Sequence, residues 1–119
     1  MSKQANSIYT VLKELFPHNI ILKEQYIYYK GTRLFFDYFI KDLGIFIEVQ
    51  GKQHTEFVPH FHGDKKGYLK YKNRDNLKIQ YVEEHDRYCL ARIFYNEKVS
   101  KKMVLKKIHA ALESKRSFV

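Results

Sequence analysis

Two short stretches place a carboxylate where an apolar strand residue is expected: Asp37 inside FFDYFI and Glu48 inside FIEVQGKQH. Phe46, Ile47 and Val49 are core residues by type, yet Glu48 and Gln50 interrupt them, and Lys52, Gln53 and His54 follow Gly51 at once. Side chains alternate along a strand, so Phe46, Glu48 and Gln50 share one face. With Asp42 and Leu43 at the tip of a hairpin, Asp37 falls opposite Glu48 and on that face; a bulge at Gly44 would slip the pairing by one residue. Two carboxylates so placed repel each other and lose hydration, which raises at least one pKa unless something compensates. A divalent cation compensates directly, because Mg²⁺ takes hard oxygen ligands and keeps several waters. Bound there, it stabilises charge on a phosphodiester and supplies an activated water. The same charges are satisfied without a metal if lysines pair with them, or if they lie on a wet sheet face.

These residues need a scaffold, and 119 residues make one domain, 1–119, with room for a real core. An apolar fraction of 45%, with 16% aromatics, argues against disorder. No apolar run approaches the roughly 18 residues of a membrane span, and the first residues lack the apolar centre of a signal peptide. One cysteine, Cys89, excludes a disulfide framework and a cysteine-based zinc cluster. An intracellular protein, cytoplasmic or nucleoid-associated, is the simplest expectation. The net charge of +9 attracts polyanions, nucleic acid first among them. A membrane surface fits less well, since the lysines are spread over several segments and interleaved with acids.

Ile8, Val11, Leu12 and Leu15 fall at helical spacing and Pro17 closes that helix. IILKEQYIYY reads as a strand ended by the turn KGT, and RLFFDYFI and IFIEVQ as two strands of a hairpin joined by KDLG. Gly51 to Gly67 reads as a loop, Tyr68 to Glu84 as a helix with Leu69, Leu77 and Tyr81 among its charges, and RYCLARIFY as a buried strand. Ser100 is placed to cap a last helix with an inner stripe of Val104, Leu105, Ile108, Ala111 and Leu112. The expected fold is α/β in the order α-β-β-β-α-β-α, a mixed sheet of about four strands flanked by helices.

In this order the residues resemble the core of the PD-(D/E)XK nuclease superfamily, a restriction-endonuclease-like fold. The likeness is strongest to the very-short-patch-repair-like endonucleases, including phage homing enzymes with the EDxHD motif. Four stretches carry it: Asp37 on its strand, IEVQGKQH, the helical pair Arg74-Asp75, and LARI from Leu90 to Ile93. Together they span about Ile20 to Asn96. The resemblance implies a Mg²⁺- or Mn²⁺-dependent DNA endonuclease, phage-encoded in an infected bacterium, whose metal is held by Asp37 and Glu48. It implies that His54 acts near the attacking water or scissile phosphate and that the helix acid Asp75 supports it. Gln50 stands where the superfamily usually has lysine and this branch aspartate; a neutral amide orients a water or ligates a metal but is no general base. Ala5 stands where an early helix acid is expected, with Glu14 two to three turns further on. Two readings from other classes accompany the nuclease: a non-catalytic nucleic-acid-binding protein on the same fold, and an interaction subunit of a larger DNA-processing complex.

Lys52, Lys65, Lys66, Arg74, Lys78 and Arg92 are the candidates to hold a polynucleotide backbone, Lys65 and Lys66 at a helix N-terminus. Any one of them is equally well a solvated surface charge, and Arg92 is also placed to balance the two carboxylates. Tyr26, Tyr28 and Tyr29 have rings that can stack on unpaired bases, or serve simply as strand residues. His54, His60 and His62 fit no standard zinc finger. Duplex, nick, mismatch, junction and RNA substrates all suit such a core, and cutting both strands favours a homodimer or a partner protein.

Overall fold

The computed structural model describes residues 3–50, 65–94 and 96–116. Helix α1 (Lys3–Leu15) leads into a meander of β1 (Ile21–Tyr29), β2 (Thr32–Ile40) and β3 (Ile45–Gln50). Helix α2 (Lys65–Glu84) then crosses to β4 (Cys89–Phe94), and α3 (Lys101–Arg116) closes the order. The strands lie in the order β1-β2-β3-β4, antiparallel except that β4 runs parallel to β3. This is the expected α-β-β-β-α-β-α architecture, a four-stranded mixed sheet flanked by three helices.

Each connection has a local cause. Lys30 and Gly31 form a two-residue loop with both φ positive (50° and 75°), and Tyr29 pairs with Thr32 across it. Such mirror-image turns match the twist of paired strands. Gly44, at φ 67°, ends the β2–β3 turn, and a Cβ there would run into the Arg87 carbonyl oxygen. Its own carbonyl accepts the Cys89 N–H at 3.0 Å, which docks the start of β4 beside β3.

The sheet separates two apolar layers. Beneath α1 and α3, Ile8 and Leu12 meet Tyr38, Ile40, Ile45, Ile47, Ala91 and Ile93, with Val104 and Ile108 from α3. Beneath α2, Leu34, Phe36 and Phe46 meet Val82, with Leu77, Tyr81 and Tyr88 around them. Burial of such side chains stabilises the fold by roughly 1.5–3 kcal/mol each. Ser100 Oγ accepts the Met103 N–H at 3.1 Å, the expected cap of α3. Two expectations for the helices are corrected. Leu105 and Leu112 are each 38% exposed, and Met103 packs on the core in their place, because the inner stripe of α3 is narrower than the five apolar residues suggested. Helix α2 begins at Lys65, so Gly67 lies in its first turns. Glycine costs a helix only about 1 kcal/mol against alanine, too little to stop one that packs.

One feature of the meander has no counterpart in the sequence pattern. On β2, Leu34 and Phe36 face α2, whereas Tyr38 and Ile40 face α1 and α3, so the facing reverses at Asp37. On β1, Ile21 packs towards α1 and Ile27 and Tyr29 towards α2. The pairing continues on both sides but omits Glu24 opposite Asp37, and Glu24 has φ 52°. A left-handed residue inside a strand is uncommon and costs on the order of 1–2 kcal/mol. Here it rotates both strands at one level, which sets Asp37 at the crossing point between the two layers.

Candidate functional site

Register brings the two carboxylates together. Tyr38 pairs with Ile47, Phe39 with Phe46 and Ile40 with Ile45, and the next step puts Asp37 opposite Glu48, as the hairpin arithmetic expects. At that step the carboxylates take over from backbone carbonyls. Glu48 Oε1 accepts the Asp37 N–H at 3.1 Å, and Asp37 Oδ2 accepts the Val49 N–H at 2.7 Å. Each acid thus satisfies an N–H on or beside the other strand. This pins both carboxyl groups in the plane where β2 and β3 part. Simple alternation does not place Asp37, since the facing reverses there; the reach of its side chain towards β3 does.

Glu48 is 3% exposed and its other oxygen, Oε2, accepts from Lys78 Nζ at 3.0 Å. Burial is the largest influence on this acid and raises it. Lys78 pulls it down, Asp37 adds repulsion, and the net position is about 7 against an ordinary 4.5. Glu48 therefore changes charge near neutral pH. The influence of Asp37 also reaches the α1 side, where burial first and then that carboxylate push the Tyr38 hydroxyl up to about 12.

Gln50 follows on the same face as Glu48 and is 1% exposed. Its Oε1 is buried and has no hydrogen-bond partner among the described residues. Native structures contain few such acceptors, and each one costs roughly 1–3 kcal/mol. Replacing it with an apolar residue of similar size, Gln50→Leu, is expected to raise unfolding stability by about 1–2 kcal/mol. The rise should hold equally from pH 5 to pH 9, since no ionisable group changes; urea melts across that range measure it.

The other sequence candidates are distributed unevenly. Asp75 lies on α2 one turn before Lys78 and is 5% exposed, so the helix acid is buried at the site's side of the sheet. Lys78 is not on an outer face: its side chain is 12% exposed, ion-paired to Glu48, and its ammonium lies 5.6 Å from the Phe36 ring centre. Arg92 pairs in register with Glu48 across β3 and β4, but its guanidinium carbon lies 5.4 Å from the Phe94 ring centre. Lys78 rather than Arg92 balances Glu48. Lys66 and Arg74 are exposed on α2. Lys52 and His54, with His60 and His62, lie outside the described residues, as does the Lys65 side chain. Tyr29 turns inward, its hydroxyl donating to Glu84 Oε2 at 2.6 Å, which removes it from the set of exposed rings.

Sequence reasoning missed the Lys78–Glu48 pair. Its signal was helical phase: Asp75, Lys78 and Val82 fall at i, i+3 and i+7, one face of α2.

The donor set can be weighed against the expected divalent cation. Among the described residues no three His, Cys, Asp or Glu side chains gather in ligating reach. The site offers two carboxylates and an orphaned amide oxygen, all hard oxygens, which suits Mg²⁺ or Mn²⁺ and not zinc. No family model matches the chain, and neither the curated proteins nor the solved structures searched include a match. None of the described helices is long and apolar enough to cross a membrane.

Proposed function

We propose that this protein is a divalent-metal-dependent endodeoxyribonuclease with a PD-(D/E)XK-like centre. One observation carries the reading: Asp37 and Glu48 are locked together by reciprocal bonds at the parting of β2 and β3, beside Gln50 Oε1, which has no partner among the described residues. Asp37 and Glu48 would hold Mg²⁺ or Mn²⁺, and Gln50 would offer it, or a water beside it, an amide oxygen. The metal when bound supplies charge stabilisation at the phosphodiester and a water of lowered pKa.

Lys78 gives the site its fixed positive charge. The position where the resembled pattern has lysine is the neutral Gln50, and Lys78 brings an ammonium to Glu48 from α2 instead. His54 is assigned the proton transfer by resemblance, with Asp75 supporting it. Lys66 and Arg74, exposed on α2, would hold the backbone and make binding strongly salt-dependent.

A second reading has its own observation. Because Lys78 already neutralises Glu48, a binding protein of the same fold would need no metal there. Calorimetric titration with Mn²⁺ and nicking of supercoiled plasmid separate the two. A heat of binding together with metal-dependent nicking is the expected result. Salt-sensitive DNA binding with neither would overturn the nuclease in favour of the binding protein.

A further inference from the structure

The facing reversal at Glu24 and Asp37 leaves the outer half of the β1–β2 hairpin covered by α2 on one side only. Ile27, Tyr29, Leu34 and Phe36 pack on that side. The residues between them, Tyr26, Tyr28, Arg33 and Phe35, point the other way and are uncovered, with Tyr28 65%, Phe35 48% and Tyr26 46% exposed. They form one surface. Tyr26 pairs across the strands with Phe35 and Tyr28 with Arg33. The Tyr26 and Phe35 ring centres are 5.5 Å apart, and the Arg33 guanidinium carbon lies 5.1 Å from the Tyr26 and 5.4 Å from the Tyr28 ring centre.

Three contiguous exposed rings are more than the scattered apolar residues of an ordinary surface. Their chemistry suits one occupant. Rings present flat faces to bases, and a guanidinium among them offers charge to the adjoining phosphate. A second copy of this chain would fit worse, because two such faces would bring like charges, Arg33 and Arg33, together in a chain already at +9. The platform lies on the face away from α2, and Phe35 precedes Asp37 by two residues on β2, about 7 Å along the strand at roughly 3.3 Å per residue, which brings it near the level where Asp37 stands between the two layers.

We propose that Tyr26, Tyr28, Arg33 and Phe35 form a stacking platform for unpaired bases, selecting DNA with a single-stranded or flapped segment next to the scissile bond. As a choice of substrate this rests on the nuclease reading, but the platform itself is tested without cleavage. Fluorescence anisotropy in EDTA compares a labelled single strand, a flapped duplex and a blunt duplex of the same sequence. The wild type is expected to prefer the first two by about tenfold, and Tyr28→Ala and Phe35→Ala each to remove most of that preference while blunt-duplex affinity changes by less than about twofold. Tyr28→Phe keeps the ring and should keep the preference, and melting curves verify that the variants fold. Three results overturn the platform: no preference in the wild type, equal losses on all three DNAs, or a dimer in sedimentation that the Tyr28→Ala, Phe35→Ala double variant dissociates. If the preference is present and no metal-dependent cleavage occurs, the platform stands and the nuclease reading falls. If blunt and flapped duplex are cleaved equally well, that fourth result also overturns the platform and leaves the nuclease reading standing.

Discussion

Glu48→Gln is expected to lose metal-dependent DNA cleavage and, in the same protein, to gain stability above pH 7. The loss follows from removing one of the two carboxylates proposed to hold the metal. Metal charge stabilisation is worth several kcal/mol, and about 1.4 kcal/mol is tenfold in rate, so cleavage falls roughly a hundred- to a thousandfold. Asp37→Asn should lose activity similarly.

The gain follows from where Glu48 titrates. Burial, the largest influence, holds its folded-state pKa at about 7 against the ordinary 4.5, despite Lys78. Between those two values the folded chain keeps a proton that the unfolded chain has released. This contribution to stability is thus fully present below pH 4.5 and is lost as pH rises through 7, by roughly 3 kcal/mol in all. Glutamine does not titrate; its one amide oxygen can still accept from Lys78 Nζ, while its NH2 then faces the Asp37 N–H, a cost that is the same at every pH and leaves the slope as the readout. The wild-type stability curve should fall from pH 4.5 to 7, and the Glu48→Gln curve should lack that fall. Urea unfolding at half-unit pH steps measures both. Parallel curves would show that Glu48 is not a strained acid, and undiminished cleavage would remove it from the metal site.

That one residue should carry both effects explains what was legible in the sequence. Asp37 and Glu48 could be paired from sequence because a short turn fixes register by counting, and register survives local twisting. Their facing could not be read so simply. It depends on Glu24 adopting a left-handed φ, and a glutamate carries none of the signal that glycine or asparagine would. The fold order was legible wherever apolar spacing matched one period, as in Ile8 and Leu12 of α1. It was less so at Gly67 and along Leu105 and Leu112, where packing overrides propensity. Lys78 was the hardest to read, since in a segment as lysine-rich as GDKKGYLKYKNRDNLK every cation looks like a solvated one. Only the position of α2 over the sheet separates it from the exposed Lys66 and Arg74.

Lys78→Met tests that separation with an effect on stability that grows with pH and an effect on metal affinity that changes sign. In the wild type, the ammonium 3.0 Å from Glu48 Oε2 offsets part of the burial of the carboxylate. Methionine keeps the apolar stem against Phe36 and removes the charge. The Glu48 pKa then climbs further above 7, because burial and Asp37 are left unopposed. At pH 5 the acid is protonated in both proteins, and their stabilities should agree within about 1 kcal/mol. Above pH 7 the wild-type curve levels off while that of the variant keeps falling, by as much as about 1.4 kcal/mol per pH unit, so that by pH 9 it is on the order of 3 kcal/mol less stable. Metal binding should cross over with pH. At pH 6.5 the retained proton competes with Mn²⁺ and weakens its binding to the variant. At pH 9, where the proton competes far less, the absence of a competing ammonium should make Mn²⁺ bind the variant more tightly than the wild type. Equal Mn²⁺ affinities in the two proteins at both pH values would mean that Lys78 and the metal do not share Glu48. The carboxylate would then belong to the architecture of the sheet and not to a centre that takes a cation.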